Sequence, residues 1–112
     1  MEQKKYWNET IETMPLDRLQ RLQGEKLQEL VTRAYDKTAL YKRKLDKAGT
    51  KPGDIKTLND LKKLPLTTYI DDFCKTPIPE KLALPLEKVK IVSSTSGSVS
   101  GFTQPVLMAL EE

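Results

Sequence analysis

A run of hydroxyl-bearing and small residues near the end of the chain has the clearest capacity for chemistry. The nine residues 93–101 contain five serines, one threonine and two glycines. Backbone N–H groups in such a loop can form a concavity for phosphate oxygens, because small side chains allow close approach and glycine tolerates positive φ. A flexible, solvated linker has the same composition and is the alternative interpretation. Neither G-K-[ST] nor G-x-G-x-x-G occurs, so this is neither a Walker loop nor a Rossmann fingerprint.

Apolar residues flank this loop on both sides. Val89, Ile91 and Val92 are β-branched and predict a short buried strand before it. Residues 106–108 predict a second short strand after Pro105. The loop is therefore expected to join two strands of a hairpin, which is marginal as a sheet by itself.

The first half of the chain has a helical pattern. Pro15 suits the first turn of a helix, and apolar residues then recur mostly at three- and four-residue steps. This predicts an amphipathic helix to about Lys37, with Gly24 as a tolerated weak point. Thr38 is predicted to cap a second helix that ends near Gly49, a natural C-cap.

Two shorter helices and a connector are predicted next. Thr57 and Asp60 have the spacing of a capping box, which predicts a short helix after them. Another short helix over residues 69–75 is expected to bury Ile70 and Phe73. An extended connection should follow, because three prolines lie within nine residues: Pro77, Pro79 and Pro85.

These elements predict an α+β chain in two parts. Residues 1–76 form a mainly helical region, and residues 77–112 hold the proline-rich connector, the first strand, the Ser/Thr/Gly loop and the second strand. This arrangement is lopsided as a complete fold. It is typical of the start of a larger α/β domain.

Composition excludes several classes of function. The chain has 112 residues, one cysteine (Cys74) and no histidine, which rules out an internal disulfide, a Ser–His–Asp triad and a zinc site within it. A net charge of +3 and an aromatic content of 6% argue against nucleic-acid binding. Asp71 and Asp72 are adjacent and would point about 100° apart on a helix, so no metal site is predicted. The sequence has no signal peptide and no transmembrane segment, which predicts a cytoplasmic protein without membrane partners.

Four segments together resemble the N-terminal part of the phenylacetate–CoA ligase family, a branch of the adenylate-forming acyl-CoA synthetase superfamily. They are Y-W-N-E-T-I-E-T-M-P (Tyr6–Pro15), A-Y-D-K-T-A-L-Y-K-R-K-L (Ala34–Leu45), A-G-T-K-P-G-D-I-K-T-L-N-D-L-K-K-L-P-L-T-T (Ala48–Thr68) and V-K-I-V-S-S-T-S-G-S (Val89–Ser98). The third segment is the closest to the family's pattern, and the fourth resembles the strand that leads into its phosphate loop.

The chain departs from the family in identifiable places. Tyr69 stands where lysine is common in the family. The loop pattern there is T-S-G-[ST]-T-G-[KE]-P, and residues 95–98 fit its first four positions. Val99, Ser100 and then Gly101-Phe102 replace the remaining four.

The resemblance implies an enzyme that activates an aryl or acyl carboxylic acid with ATP and Mg²⁺ to an acyl-adenylate, then transfers the acyl group to CoA. It assigns the phosphate-contacting residues to the loop: Ser94, Thr95, Ser96, Gly97, Ser98, Ser100 and Gly101. The family's adenine-binding motifs and its catalytic lysine have no counterpart in these 112 residues. The chain by itself is therefore expected to bind ATP weakly and to catalyse no adenylation.

Two alternative functions stay open. The chain could be a stand-alone remnant that forms a homo-oligomer or docks on a full-length ligase, through the exposed edge of the Val89–Val92 strand and its Leu/Ile faces. It could also belong to a related synthetase that adenylates a deazaflavin coenzyme.

Overall fold

The computed structural model describes residues 3–98, 101 and 103–110. In chain order, the elements are α1 (Glu9–Glu12), α2 (Leu16–Lys37), α3 (Ala39–Ala48), 3₁₀ turns at Pro52–Asp54 and Leu58–Lys63, a π-helical turn at Tyr69–Cys74, α4 (Ile78–Lys81), a 3₁₀ turn at Leu86–Lys88, β1 (Ile91–Ser94) and β2 (Pro105–Met108). Over the described residues, no helix combines the length and apolar character needed to cross a membrane. The predicted order of a helical region followed by a hairpin is confirmed.

Thr38 forms the corner between α2 and α3. Its backbone is extended, and its buried hydroxyl accepts a hydrogen bond from the Tyr41 N–H at 3.3 Å while donating to the Ala34 carbonyl at 2.7 Å. One side chain thus satisfies groups at the end of α2 and at the start of α3. Gly49 ends α3 with φ of 71°. Both predicted caps are confirmed.

The buried core lies where α2, α3 and the segment after α3 meet. Val31, Leu45 and Ile55 form it, and Ile55 is fully buried. Further apolar side chains pack around these three and are half-buried: Leu27, Tyr35 and Leu64. This core joins α2 and α3 to the turns at Pro52–Asp54 and Leu58–Lys63.

Gly24 is the point at which residues 56–58 cross α2. An ideal Cβ at Gly24 would lie 3.5 Å from both the Lys56 carbonyl oxygen and the Thr57 Cα. The residue is buried and α2 continues through it, so the helix tolerates this glycine as predicted, but the sequence did not predict that a second segment crosses there. A small residue there allows the crossing segment to approach the helix backbone closely.

The later turns differ in type from the predicted ones. The helix predicted after Thr57 is a 3₁₀ turn, and residues 69–74 form a π-helical turn in which Ile70 remains 44% exposed. The expectation that Ile70 is buried was therefore wrong. The proline-rich segment is not fully extended, because Pro79 occupies the first turn of α4, where a missing N–H costs nothing.

The two strands pair antiparallel, with Ile91 opposite Met108 and Ser94 opposite Pro105. The first strand begins at Ile91 rather than Val89 and includes Ser93 and Ser94, which were predicted to lie in the loop. It was also predicted to be buried, yet Val92 is 68% exposed. No further described strand pairs with this two-stranded ribbon, so its outer edges are unpaired. All four residues of β1 are exposed, whereas Pro105 and Leu107 of β2 are half-buried.

The chain exposes more surface than a compact protein of the same size. Its accessible area is 8928 Å², against roughly 6,300 Å² expected for its mass. Its radius of gyration is 17.4 Å, against roughly 13 Å for a compact domain of this length. Large apolar side chains are left in solvent as a result, among them Leu16, Leu30, Leu66 and Val92.

Candidate functional site

Two hydrogen bonds close the base of the loop between β1 and β2. The Thr95 N–H donates to the Gln104 carbonyl at 2.9 Å, and the Gln104 N–H donates to the Thr95 hydroxyl oxygen at 2.9 Å. This reciprocal pair extends the ladder of the hairpin by one residue on each strand. The loop proper therefore begins at Ser96.

Glycines produce the turns within the loop. Gly97 has φ of 76° and Gly101 has φ of 77°, a region that glycine enters without steric cost. The Gly101 N–H donates to the Gly97 carbonyl at 2.9 Å. On the same loop, the Ser96 hydroxyl donates to the Ser98 hydroxyl at 3.3 Å.

A concavity of about 210 Å³ lies against this loop. Thr95 at the base of the loop and the first three loop residues, 96–98, line it together with Tyr69. Ser94 instead ends β1 opposite Pro105, and Gly101 bonds the loop backbone without lining the concavity. Ser100 lies outside the described residues. Of the seven predicted phosphate-contacting residues, the structure thus brings Thr95, Ser96, Gly97 and Ser98 to one concave surface.

Tyr69 is the site residue that spacing along the sequence does not reveal. It precedes the loop by more than twenty residues and begins the π-helical turn. Only the tertiary structure brings it to the concavity that Thr95 also lines. The substitution of tyrosine for the family's usual lysine marks the position as unusual but says nothing about its location.

Asp72 anchors the turn that carries Tyr69. Its carboxylate accepts hydrogen bonds from the Lys44 ammonium and from the Thr68 N–H, both at 2.8 Å. The Lys44 and Asp72 side chains are 18% and 22% exposed, so this ion pair is partly shielded from water. The Lys44 hydrogen bond, followed by the Thr68 N–H, lowers the pKa of Asp72 below its ordinary value. The Asp72 carboxylate is therefore ionised at neutral pH.

The adjacent carboxylates diverge as the sequence predicted. Asp71 pairs with Lys75 at 2.9 Å on the exposed surface, whereas Asp72 turns toward α3. Within the described ranges, no group of three or more His, Cys, Asp or Glu side chains could hold a metal ion. Cys74 is half-buried in the same turn.

Four of the five residues that line the concavity carry a hydroxyl group: Thr95, Ser96, Ser98 and Tyr69. Hydroxyl groups suit phosphate oxygens, although most of the exposed surface of the concavity is apolar. No histidine exists in the chain to serve as a general base. A donor set of this kind is chemically suited to an anion.

Curated proteins similar to this chain are phenylacetate-coenzyme A ligases. The protein from Escherichia coli is 38% identical over an alignment of 99 residues that covers 84% of this chain and 22% of that protein. The protein from Thermus thermophilus is 35% identical over an alignment of 108 residues that covers 91% of this chain and 24% of that protein. This chain thus spans about a quarter of the length of these relatives. The predicted resemblance is confirmed over most of the chain. No protein-family model matches it.

Solved structures of 2-hydroxyisobutyryl-CoA ligase have the same fold over the matched part. One, in the postadenylation state with 2-HIB-AMP, has a TM-score of 0.82 at 23% identity and covers 96% of this chain and 23% of that protein. Another, with 2-HIB-AMP and CoA in the thioesterification state, has a TM-score of 0.77 at 24% identity. The architecture described above is therefore one that occurs within an acyl-CoA ligase.

Proposed function

We propose that this chain, which resembles the phenylacetate–CoA ligases over most of its length, is the phosphate-loop segment of an ATP-dependent acid–CoA ligase that acts in the cytoplasm. The observation that carries the proposal is the concavity formed by residues 95–98 and Tyr69, because four of these five residues carry a hydroxyl group. It lies in a fold that also occurs in a ligase crystallised with an acyl-adenylate. A single cysteine suits the reducing compartment.

In this proposal the loop holds the phosphates of ATP. The substrate carboxylate attacks the α-phosphorus, the bond to the β-phosphate oxygen breaks, and pyrophosphate leaves with its negative charge on the oxygens that the loop contacts. The CoA thiol then attacks the acyl carbon and releases AMP. The loop contributes by positioning ATP and by donating hydrogen bonds to the departing charge, in which backbone N–H groups and hydroxyls are effective.

Mg²⁺ enters this proposal with ATP rather than through the protein segment. The described residues offer no carboxylate cluster for it, so phosphate oxygens of the nucleotide would be its ligands. The acid-binding and adenine-binding groups come from the remainder of the ligase. A whole ligase among the relatives is about four times as long as this chain. The identity of the acid is set there.

The isolated chain is expected to hold ATP only weakly. Three or four loop hydrogen bonds of about 1 kcal/mol each amount to roughly 3–4 kcal/mol, which corresponds to a Kd near 1 mM or weaker. We therefore expect no release of pyrophosphate when the 112-residue chain is incubated with phenylacetate, Mg–ATP and CoA.

A chimeric enzyme tests the proposal directly. The matched segment of the Escherichia coli phenylacetate-coenzyme A ligase is replaced by the corresponding part of this chain, and phenylacetate-dependent release of pyrophosphate is measured. We expect adenylation above that of the same enzyme with the segment deleted. A matched chimera with Gly97→Val should lose most of it, because a β-branched side chain is strained at φ of 76°.

A folded but inactive chimera would contradict the proposal. If the chimera has the circular dichroism spectrum and elution volume of the parent ligase but releases no pyrophosphate, the loop of this chain does not serve adenylation. Binding of phenylacetate with normal affinity in the same chimera would confirm that the rest of the enzyme is intact.

A second candidate function is that of a dimerisation or docking module. An apolar groove of about 350 Å³ between α2 and α3 supports it, and exposed leucines such as Leu30 and Leu61 border the groove. The unpaired edges of the β1–β2 ribbon are a further surface for association. Light scattering after size exclusion distinguishes the two cases, since a self-associating chain elutes at twice the 12.8 kDa of the monomer or more.

A further inference from the structure

We propose that the Tyr69 hydroxyl is a phosphate-binding group of this loop, donating a hydrogen bond to the phosphate oxygen that residues 95–98 hold. The proposal rests on the proposed function of the loop and adds a contact from a separate part of the chain. Tyr69 and the loop line one concavity, so a ligand seated in it meets both.

The hydroxyl of Tyr69 is available for such a contact. Among the described residues, it has no hydrogen-bond partner, although the residue is half-buried. Among the described side chains, every shielded nitrogen or oxygen atom has a hydrogen-bond partner, so the Tyr69 hydroxyl reaches solvent. It can therefore exchange a water molecule for a phosphate oxygen in the concavity without breaking a bond within the protein.

Stacked side chains hold the Tyr69 ring in place. Its ring lies parallel to that of Phe73, with centroids 6.4 Å apart and planes 17° from parallel. The Lys81 ammonium lies 4.5 Å from the centroid of the Phe73 ring and donates to the Phe73 carbonyl at 3.0 Å. The Tyr69 ring is therefore restrained from one side, so binding a ligand requires little further ordering of it.

The backbone at Tyr69 is fixed as well. The Asp72 carboxylate accepts a hydrogen bond from the N–H of Thr68, the residue before Tyr69. The same carboxylate forms an ion pair with Lys44 of α3. The turn is wide because the Thr68 carbonyl accepts from the Phe73 N–H, five residues on, at 3.1 Å. Through these bonds the folded helical region sets the position of one wall of the phosphate site.

The contact is chemically suited to an anion. A neutral phenol donates to an ionised phosphate oxygen in a short, charge-assisted hydrogen bond. Its ring adds apolar surface beside the loop, which lowers the local dielectric and strengthens the bond. A neutral donor also leaves the net charge of the site unchanged, so most of the positive charge needed there must come from the magnesium ion that accompanies ATP.

Amide and aromatic NMR of the 112-residue chain tests the proposal, because such spectra detect millimolar binding. Mg–ATP and Mg–pyrophosphate are titrated in turn into the parent chain, Tyr69→Phe and Tyr41→Phe. Tyr41 is the matched control, since it lines the groove between α2 and α3 instead of the loop. We expect both ligands to shift the amides of residues 95–98 and the ring Hε resonances of Tyr69. Tyr69→Phe should raise the apparent Kd about tenfold, and Tyr41→Phe should leave it within twofold.

Each contrary result has its own meaning. Loop amides that move with the same Kd in the parent chain and Tyr69→Phe overturn the role of Tyr69 but leave the proposed function of the loop intact. Loop amides that move with neither ligand overturn both. Movement of the Tyr69 ring with Mg–ATP alone overturns the phosphate contact, because it places the ring against the nucleoside. Ligand-free spectra that agree outside the substituted ring confirm that the variants share one fold.

Discussion

Thr95 and Gln104 are joined by two 2.9 Å hydrogen bonds, one between their backbones and one from the Gln104 N–H to the Thr95 hydroxyl. Because the second bond uses a side chain, the closure of the loop depends on the identity of residue 95 and not only on strand pairing. Thr95 thereby has two roles: it lines the concavity, and its hydrogen bonds to Gln104 close the base of the loop.

Replacing Thr95 by valine should open the base of the loop. Thr95→Val keeps the shape of the side chain but removes the acceptor of the Gln104 N–H, at a cost of about 1 kcal/mol. We expect the Gln104 amide to exchange with deuterium several-fold faster, as measured by NMR. Thr95→Ser, which retains the hydroxyl, should exchange at the parent rate. Equal exchange in all three proteins would mean that strand pairing alone closes the loop.

The stability of the helical region should depend on pH through Asp60. The ammonium of Lys63, with the N–H groups of Lys56 and Thr57, holds the pKa of Asp60 far below its ordinary value of 3.8. A depressed folded-state pKa stabilises the fold above the unfolded-state pKa and ceases to do so as pH falls toward the folded-state value. Urea unfolding should therefore show a constant difference between the parent chain and Asp60→Asn above about pH 5, which shrinks below about pH 4.

Asp71→Asn is the control for that experiment. The Asp71 carboxylate pairs with Lys75 in an exposed position, where an ion pair contributes little to stability. Its stability difference from the parent chain should be small at every pH. A pH dependence as large as that of Asp60→Asn would show that general charge, rather than the Asp60 network, governs acid unfolding.

Substitutions at Gly24 should separate helix propensity from packing. A methyl group there would meet Lys56 and Thr57 at ordinary contact distance, 3.5 Å. Gly24→Ala should therefore raise the free energy of unfolding by up to about 1 kcal/mol, the difference in helix propensity. Gly24→Val should lower it by about 1–3 kcal/mol, because its larger side chain would push the crossing segment away. Both values follow from urea unfolding, and similar stability of the two variants would contradict a close crossing.

Removing the Thr38 hydroxyl should weaken the corner between the long helices. Thr38→Ala leaves the Tyr41 N–H without its cap and should cost about 1–2 kcal/mol of unfolding free energy. Thr32→Ala, at an exposed position within α2, is the matched control and should be neutral or slightly stabilising. An unchanged stability of Thr38→Ala would mean that water replaces the cap.

The parts of this fold that the sequence predicts well are those set by local interactions. The limits of α2 and α3 agree with the pattern because Pro15, Thr38 and Gly49 each impose their effect within one turn of chain. The family resemblance was likewise readable, since its motifs are contiguous segments. By contrast, the burial of Ile70 and Val92 was predicted wrongly, because their apolar character shows that they suit an interior but not that this chain supplies one.

The two parts of the candidate site differ in the same way, because one is contiguous in the sequence and the other is not. The sequence by itself determined the loop: its serines, its threonine and its glycines lie together in the chain, and glycine alone enters positive φ freely. Only the tertiary structure decided that Tyr69 faces this loop and that Gly24 is a crossing point. Both relationships join segments more than twenty residues apart, and they depend on how the π-helical turn and the segment after α3 pack, which no local pattern specifies.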